Sequence, residues 1–280
     1  MSMLKLLSPA PRTASAIAAA ASTMPDYGID APVVRRSMLA AGIVGAAFCR
    51  LSVTVTAFAS GAAETAAAWF AVVCLLAALY GLGMGAYMTH WSRIGKLRTR
   101  ERLLNFAGDV VPWTGREMVL DVGCGRGLML VGAARRLNSG IATGIDLWRS
   151  EDQADNSPDA TLENARREGV ADRVRVETGD ARALPFADAS FDAVVSHWVI
   201  HNLPEPADRT RALNEMLRVL RPGGVLVLAD IAHHRVYRAQ LEAHGLIDIL
   251  AHYGGWETRL VGVLSGGSFR PHALVGRRAE

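Results

Sequence analysis

The stretch 66–88 constrains the fold most, because none of its 23 positions carries a charge. A helix needs about 20 mainly apolar residues to cross the hydrocarbon core of a bilayer. A core helix of that length in a soluble domain usually shows a polar face, and this stretch shows none. The stretch therefore predicts a transmembrane helix, with a pair of buried helices in a soluble domain as the alternative.

A second apolar stretch, residues 38–59, precedes it and is also long enough to span, although Arg50 lies inside it. A central arginine costs roughly 2.5–3.5 kcal/mol on insertion scales, which the surrounding apolar residues must offset. The link between the stretches is short, so residues 37–90 are predicted to form a transmembrane hairpin of two antiparallel helices. Gly81 and Gly85 lie one turn apart and provide a small surface for close helix contact.

Basic residues flank this hairpin on both sides. Arg35 and Arg36 precede it and five basic residues follow within 93–102, whereas the link carries only Glu64. The positive-inside rule then places both ends in the cytoplasm. We expect a membrane protein with two spans and a catalytic domain, residues 91–280, that faces the cytoplasm.

The segments next to the hairpin have distinct compositions. Residues 1–36 are rich in Ala, Ser and Pro and are predicted to be a flexible tail, and a targeting peptide stays open as an alternative. Residues 92–106 are predicted to form a basic helix on the membrane surface. The net charge of +3 is too small to indicate a nucleic-acid partner. The three cysteines lack the spacing of a disulfide framework or a zinc site.

Beyond position 117, short apolar runs alternate with helical patterns. Such alternation predicts βαβ units and a parallel sheet covered on both faces. The predicted strands are residues 118–121, 142–146, 174–177, 193–197 and 225–230, followed by late candidates at 248–253, 259–264 and 273–277. The predicted helices are residues 128–137, 158–168, 207–220 and 237–244.

The first predicted strand leads into a glycine-rich turn, LDVGCGRG at residues 120–127, and a helical run follows at once. Glycines at such a turn let the backbone approach a ligand, and the helix N-terminus offers free N–H groups. Gly123, Gly125 and Gly127 have the spacing GxGxG, which differs from the GxGxxG of dinucleotide-binding proteins. The spacing therefore disfavours a nicotinamide dehydrogenase.

Two aspartates follow the next two predicted strands. Asp146 lies about 20 positions after the glycine turn, where an acidic residue typically holds a ribose diol. Its carboxylate can accept hydrogen bonds from both hydroxyls. Asp180 follows the third strand, where it can accept a hydrogen bond from an adenine amino group. Together with the glycine turn, these residues predict a nucleoside site at the carboxyl edge of the sheet.

The ordered motifs LDVGCGRG, GID, GDA, LPF, SFDAVVS and LRPGG resemble those of class I S-adenosylmethionine-dependent methyltransferases of the small-molecule type. The resemblance covers about residues 98–278. It implies an α/β, Rossmann-like sheet of seven strands with the last reversed, here preceded by the transmembrane hairpin. It also implies S-adenosyl-L-methionine as the cofactor and a small-molecule or lipid-like acceptor at the membrane surface.

The resemblance further assigns roles to residues at the motif positions. The assigned cofactor-binding residues are Asp121, Gly123, Cys124, Gly125 and Gly127 around the methionine part, Asp146 and Leu147 at the ribose and adenine, Asp180 and Ala181 at the adenine edge, and Ser196 and His197 beside the sulfonium. Within this set, Cys124 is interpreted as a small packing residue and not as a nucleophile.

A histidine-rich segment follows the fourth predicted strand, at the reacting end of such a site. Transfer needs a base only if the acceptor must lose a proton, and His201 is the candidate base or substrate holder, with a structural role left open. His233, His234 and Tyr237 follow the fifth strand and could line the same pocket. No metal is predicted, because no helical HxxxH pattern or carboxylate partner accompanies the histidines.

The segment 147–157 is longer than the family pattern, and it is either a flap over the site or a solvated insertion. Ser157 and Pro158 predict that the next helix begins at position 158. Two other functions stay open beside methylation of a small molecule. They are a protein or peptide methyltransferase at the membrane, and a non-catalytic cofactor-binding sensor or assembly factor. The sequence fixes neither the acceptor nor the oligomeric state.

Overall fold

The computed structural model describes residues 24–149, 153, 155–252, 255–267 and 270–280, so most of the predicted tail lies outside it. The helices are α1 (Pro32–Thr56), α2 (Ala62–His90), α3 (Lys96–Val110), α4 (Leu128–Ala134), α5 (Pro158–Arg167), α6 (Pro206–Val219), α7 (His234–Ala243) and α8 (Trp256–Leu264). The strands are β1 (Met118–Val122), β2 (Ile141–Asp146), β3 (Val174–Thr178), β4 (Phe191–His197), β5 (Leu220–Asp230), β6 (Leu246–His252) and β7 (His272–Arg278).

The strands form one sheet of seven in the order β3-β2-β1-β4-β5-β7-β6. The first five pair in parallel, and β7 runs antiparallel to both β5 and β6. Val119 and Leu120 of β1 belong to separate buried clusters, because successive side chains of a strand point to opposite faces. The predicted Rossmann-like sheet with a reversed last strand is confirmed.

The prediction of a strand at residues 259–264 is wrong, because these residues belong to α8. A short apolar run is ambiguous between a strand and a helix when its length is the only guide. Leu260, Val263 and Leu264 have helical spacing and are exposed, whereas Val261 is buried. The run is thus one side of a helix that lies against the domain.

The hairpin helices α1 and α2 pack through small residues. A Cβ on Gly81 would lie 2.6 Å from the carbonyl oxygen of Met38, and a Cβ on Gly42 would lie 2.6 Å from the backbone nitrogen of Leu82. Gly85 is buried in the same seam. The predicted close contact at Gly81 and Gly85 is confirmed, and it requires the absence of side chains at the crossing.

Both hairpin helices are long and apolar enough to cross a membrane, and their outer faces are apolar. The exposed large side chains include Ile43, Leu51, Val53, Phe70, Val73, Leu76 and Leu79. Only 17% of the most apolar window of each helix is buried. A core helix of a soluble domain is mostly buried, so this distribution differs from that of a core helix.

The hairpin boundaries differ from the predicted 38–59 and 66–88, since α1 begins at Pro32 and α2 begins at Ala62. Proline suits the first turn of a helix, where its missing N–H costs nothing. Arg50 is exposed and lies six residues before the end of α1, which is about 9 Å along the helix. The arginine therefore lies near one end of α1, where a long side chain can reach the interface.

Helix α3 packs one side against the domain. Helix α2 runs through a π-helical turn, Trp91–Gly95, directly into α3. Leu104 and Ala107 are fully buried against the sheet, and the basic residues Lys96 and Arg100 are also buried. The predicted helix at 92–106 thus packs one side into the core, and its place on a membrane surface stays a prediction.

Residues 24–31, which we call the N-terminal strap, are packed against the domain, contrary to the predicted flexible tail. Tyr27 is only 4% exposed. The Lys96 Nζ donates hydrogen bonds of 2.7 Å to the carbonyl oxygens of both Tyr27 and Gly28 and lies 3.2 Å from Asp30 Oδ1. The strap is thus fixed by a buried cation, whereas residues 1–23 lie outside the described part.

Candidate functional site

One cavity of about 710 Å³ opens at the carboxyl ends of β1, β2 and β4. Its volume falls within the roughly 300–1,000 Å³ of typical small-molecule sites. The predicted site residues that line it are Asp121, Gly123, Cys124, Gly125, Asp146, Leu147, Asp180, Ala181, His197 and His201. The structure therefore brings most of the predicted site together, although their individual roles stay predictions.

Gly127 and Ser196 have structural roles beside the cavity. Gly127 has φ 86° at the start of α4, and a Cβ there would lie 2.8 Å from Cγ2 of Thr161. Ser196 is 1% exposed, and its hydroxyl donates to the carbonyl oxygen of Val122, which ties β4 to β1. Neither residue lines the cavity, and their assignment as cofactor-binding residues stays a prediction.

The glycine turn lies so close to neighbouring groups that it has no room for side chains. Gly123 and Gly125 have φ values of 73° and 51°, in the region that favours glycine. A Cβ on Gly125 would lie 2.6 Å from Oε1 of Gln153. The open backbone surface fits a ligand that approaches the turn closely, as the methionine part of S-adenosylmethionine would.

Asp121 keeps one buried oxygen free for a ligand. Its Oδ2 accepts a 2.8 Å hydrogen bond from the backbone N–H of Leu130, and its Oδ1 is buried without a partner among the described residues. Burial raises the pKa of Asp121 to about 8. A cationic amine bound here would favour the charged carboxylate, so the site fits the ammonium end of the cofactor.

Asp146 is held rigidly at the end of β2. Its Oδ2 accepts from the backbone N–H of Gly125 at 2.8 Å, and its Oδ1 accepts from the N–H of Trp148 at 2.7 Å and from the Asn156 amide at 3.2 Å. The Asn156 Oδ1 is itself buried without a partner among the described residues. Sequence analysis missed Asn156, since its only signal is its place in the long loop.

Replacing Asp146 by alanine is expected to weaken S-adenosylhomocysteine binding by about 1.5–3 kcal/mol, because charge-assisted hydrogen bonds to the ribose would be lost. Titration calorimetry measures the change. Asp172→Ala is the matched control, since that carboxylate is 75% exposed and lies outside the cavity lining. An unchanged affinity in folded Asp146→Ala would show that the ribose is held elsewhere.

Asp180 lines the cavity but already has an internal partner. The Arg182 guanidinium lies 2.6 Å from its Oδ2 and also donates to its Oδ1. This contact holds the pKa of Asp180 below its usual range. Arg182 also donates to Asp208 of α6 at 2.8 Å. The carboxylate is therefore fixed and ionised, and its remaining lone pairs can accept a further N–H.

Cys124 is a packing residue, in agreement with its interpretation from sequence. It is 5% exposed, and burial raises the pKa of its thiol. A Cβ on Gly144 would lie 2.7 Å from its Sγ, so strand and turn meet closely here. A protonated and buried thiol is a poor nucleophile.

His197 is a neutral imidazole at the end of β4. Burial lowers its pKa to about 3. Its ring stacks on Trp198 with centroids 4.8 Å apart, and Trp198 has φ 59°, which is unusual for a bulky residue. So weak a base cannot abstract a proton efficiently near neutral pH. The geometry therefore favours the other cavity histidine as the base.

His201 pairs with a buried carboxylate. Its Nδ1 lies 2.5 Å from Oδ1 of Asp230, which is 2% exposed. The backbone N–H of His201 also donates to Asp230 Oδ2 at 2.9 Å. The Nδ1 contact lacks hydrogen-bond geometry, but the carboxylate beside Nδ1 favours the tautomer that carries its proton there, and Nε2 is then the nitrogen that can take a proton. Sequence analysis missed Asp230 as a site residue, although an acidic residue at the carboxyl end of a strand was the available signal.

The histidines after β5 do not join this cavity. His234 stacks on His272 with centroids 3.7 Å apart, in a separate cleft. His233 lines neither, and Tyr237 is a buried residue of α7 that lines neither. The interpretation that they line the same pocket is therefore wrong. Among the described residues, no group of three metal-ligating side chains comes together.

The long loop after β2 contributes to the cavity through its described residues. Leu147, Arg149, Gln153 and Asn156 line it. Helix α5 begins at Pro158 as predicted, after an N-cap at position 157. This placement favours a flap over a merely solvated insertion, and residues 150–152 and 154 lie outside the described part.

The domain matches known proteins across this region. A family model described as a methyltransferase domain matches residues 120–228. Methyltransferase GfsG of Streptomyces halstedii is 40% identical over 113 residues, which are 40% of this chain and 37% of that protein. The 27-O-demethylrifamycin SV methyltransferase of Amycolatopsis mediterranei (strain S699) is 37% identical over 129 residues, 46% of this chain and 44% of that protein. The chain thus spans less than half the length of these two relatives.

A third relative matches this chain over a shorter stretch. The demethylmenaquinone methyltransferase of Renibacterium salmoninarum is 56% identical over 55 residues, 20% of this chain and 22% of that protein. Among solved structures, geranyl diphosphate C-methyltransferase from Streptomyces coelicolor A3(2) aligns with a TM-score of 0.50 at 18% identity, over 65% of this chain and 79% of that chain. The [4+2]-cyclase SpnF aligns with a TM-score of 0.50 at 22% identity, over 64% of this chain and 81% of that chain. These alignments show a shared fold.

Proposed function

We propose that this chain, in which residues 120–228 form a class I S-adenosylmethionine-dependent methyltransferase domain, methylates a small, lipid-like acceptor at a membrane surface. The observation that carries the proposal is a single cavity that joins the glycine turn and Asp146 to the His201–Asp230 pair. The proposed cofactor site and the proposed base thus face the same cavity.

When bound, the cofactor supplies an electrophilic methyl group, and the carbon–sulfur electron pair stays on sulfur after transfer. Asp121 and Asp146 hold the two ends of the cofactor site, and this alignment is a large part of the catalysis. His201 Nε2 takes the proton of an acceptor hydroxyl or acidic C–H. The Asp230 carboxylate stabilises the imidazolium that results.

A small-molecule acceptor is supported by the relatives. Their names specify the substrates 27-O-demethylrifamycin SV and demethylmenaquinone, and both are small molecules. The protein or peptide alternative has no comparable support. The SpnF alignment shows that this fold also occurs in a protein named as a cyclase, so turnover of this chain needs a direct test.

The direct test is incubation of the purified full chain with methyl-labelled S-adenosylmethionine and a membrane lipid extract. We expect label in an extractable small molecule, and much less of it with the Asp146→Ala variant at a subsaturating cofactor concentration. Label in protein would favour the protein methyltransferase instead. Cofactor binding without any labelled product from extracts of several sources would favour the non-catalytic sensor.

We also propose that α1 and α2 span a membrane with the domain on the cytoplasmic side. The support is the apolar outer face of both helices and the exposed arginines at one end of the hairpin. Arg36, Arg93, Arg98 and Arg102 remain exposed even though Lys96 and Arg100 are buried. Such arginines favour the cytoplasmic, anionic leaflet.

Single-cysteine labelling tests this topology in a background where Cys49, Cys74 and Cys124 are alanine. In intact cells, an impermeant maleimide should label Glu64→Cys but neither Arg36→Cys nor Arg93→Cys. The latter two should react only after permeabilisation, because the positive flanks stay inside. Labelling of all three in intact cells, or the reverse pattern, would contradict the proposed orientation.

A further inference from the structure

The cavity continues beyond the cofactor site into the hairpin. Its far end is lined by Val34 and Met38 of α1 and by Tyr80, Met84, Tyr87 and Met88 of α2. None of these six side chains carries a charge at neutral pH, and three are methionines. Methionine is flexible and fills irregular apolar space, so this end suits a ligand part that is apolar and variable in shape.

An aromatic stack connects this end to the catalytic end. Trp91, directly after α2, stacks on Trp198 with centroids 6.4 Å apart, and Trp198 stacks on His197. Tyr87 stacks on Trp91 in turn, at 6.2 Å. Trp91 Nε1 is buried without a partner among the described residues. A planar ring against the stack and a polar group near this N–H would fit between His201 and the hairpin.

The apolar end extends far along α2. From Met88 to Tyr80 the helix rises about 12 Å, at 1.5 Å per residue. The hydrocarbon core of a bilayer is about 30 Å thick, so this distance is close to half of it. If α2 spans the membrane from near Met88, the passage reaches toward the bilayer midplane.

Helix α8 covers one side of this passage. The Tyr80 hydroxyl donates a 3.0 Å hydrogen bond to the carbonyl oxygen of Leu264. Val261 and Ser265 line the cavity, whereas Val263 and Leu264 are exposed on the outer side. Val263 and Leu264 thus present apolar surface beside the apolar hairpin, with Arg259 exposed one turn before Val263, as where an interfacial helix meets a lipid surface.

We propose that the hairpin end of the cavity binds the apolar tail of the methyl acceptor, an isoprenoid or acyl chain, which enters from the bilayer between α2 and α8. The head of the acceptor then lies on the aromatic stack beside His201. This inference rests on the proposed function, and it adds that the membrane hairpin forms part of the substrate site instead of being only an anchor.

The probe is a phenol that carries a farnesyl-length chain ending in a diazirine, photolysed with the full chain in nanodiscs in the presence of S-adenosylhomocysteine. We expect crosslinks on α1, α2 or α8 at residues that line the cavity. The same phenol without its chain should compete poorly, and the chain-bearing phenol without the diazirine should compete well. Crosslinks spread evenly over the outer faces of α1 and α2 would overturn the proposal.

Met84→Trp fills the passage and should reduce specific crosslinking about tenfold, as expected when at least two methylene groups lose their apolar contacts. Leu79→Trp is the matched control, because this leucine is on the same helix, 61% exposed and outside the cavity lining. Met38→Phe on the facing helix is a second blocking variant. Equal crosslinking in Met84→Trp, Met38→Phe and Leu79→Trp would overturn the proposal.

Two further measurements distinguish failure of the proposed acceptor-tail site from failure of the proposed function. S-adenosylhomocysteine affinity reports on the proposed function, and its absence in the wild-type chain would mean that the proposed function itself fails. Retained affinity in all three variants shows that they are folded. A diazirine-bearing phosphatidylcholine that labels the same residues and resists displacement by the tailed phenol would assign the passage to a structural lipid and overturn the acceptor site.

Discussion

Replacing His201 by alanine is expected to lower the rate of methyl transfer by about 10²–10⁴-fold, the range for loss of a general base. The reason is geometric. The Asp230 carboxylate lies beside Nδ1 of the imidazole and favours the tautomer that leaves Nε2 for the acceptor. S-adenosylhomocysteine affinity should stay nearly constant, since the residues proposed to hold the cofactor are Asp121 and Asp146. Single-turnover kinetics with labelled cofactor, once an acceptor is found, measures the change.

Two companion variants separate a base from a structural residue. Asp230→Asn keeps the shape of the side chain but removes its charge, so it should also slow transfer while the cofactor still binds. His233→Ala is the control, because His233 is exposed and outside the cavity lining. A His201→Ala chain that loses thermal stability without a selective kinetic defect would assign the residue a structural role.

The core of the fold was predictable because local patterns there agree with the tertiary structure. Strands buried on both faces give continuous apolar runs, and the glycine turn marks the junction of β1 and α4. The structure of residues 259–264 was predicted wrongly, because the local pattern there does not determine the secondary structure. Their apolar run fits either a strand or a helix, and the structure shows a helix that buries Val261 and exposes Leu260, Val263 and Leu264.

The strap was not predictable, because its contacts are remote in sequence. Asp26 bonds to Asn164 over 138 positions, and Tyr27 bonds to Glu168 over 141. A segment rich in small residues has no apolar period from which packing can be inferred. The burial of Lys96 and Arg100 was not predictable for the same reason. Basic residues after a span usually face the lipid headgroups, but these two side chains donate hydrogen bonds to buried oxygens from segments remote in sequence.

The site was predictable where a motif fixes a backbone position, and less so where two elements meet. Asp121 and Asp146 each end a strand, so their place follows from the sheet. The pairing of His201 with Asp230 needs β4 and β5 to be neighbours. The contribution of α2 to the cavity was not predictable, because it depends on a helical path that continues without interruption from the hairpin into the domain. The sequence of either segment alone does not show this continuity.

The strap and its buried cation lead to the second prediction, that Lys96→Met destabilises the folded domain by about 3 kcal/mol. Removing one member of a buried ion pair costs roughly 3–5 kcal/mol, because the other charge loses its compensation. The lower end applies here, since the Asp30 side chain is still 25% exposed. Two strap carbonyls, those of Tyr27 and Gly28, also lose their donor. Denaturant unfolding of the domain, followed by intrinsic tryptophan fluorescence, measures the effect.

The same variant should weaken cofactor binding, because the strap forms part of the cavity wall through Tyr27 and Asp30. Arg98→Ala is the control, as Arg98 belongs to the same helix but is exposed. The double variant Asp30→Asn with Lys96→Met should be more stable than Lys96→Met alone, because it removes the uncompensated carboxylate. If Lys96→Met destabilises the domain no more than Arg98→Ala does, the strap is not held by the buried cation, and the cavity wall must depend on Tyr27 and its bonds to Glu168 and Arg100 instead.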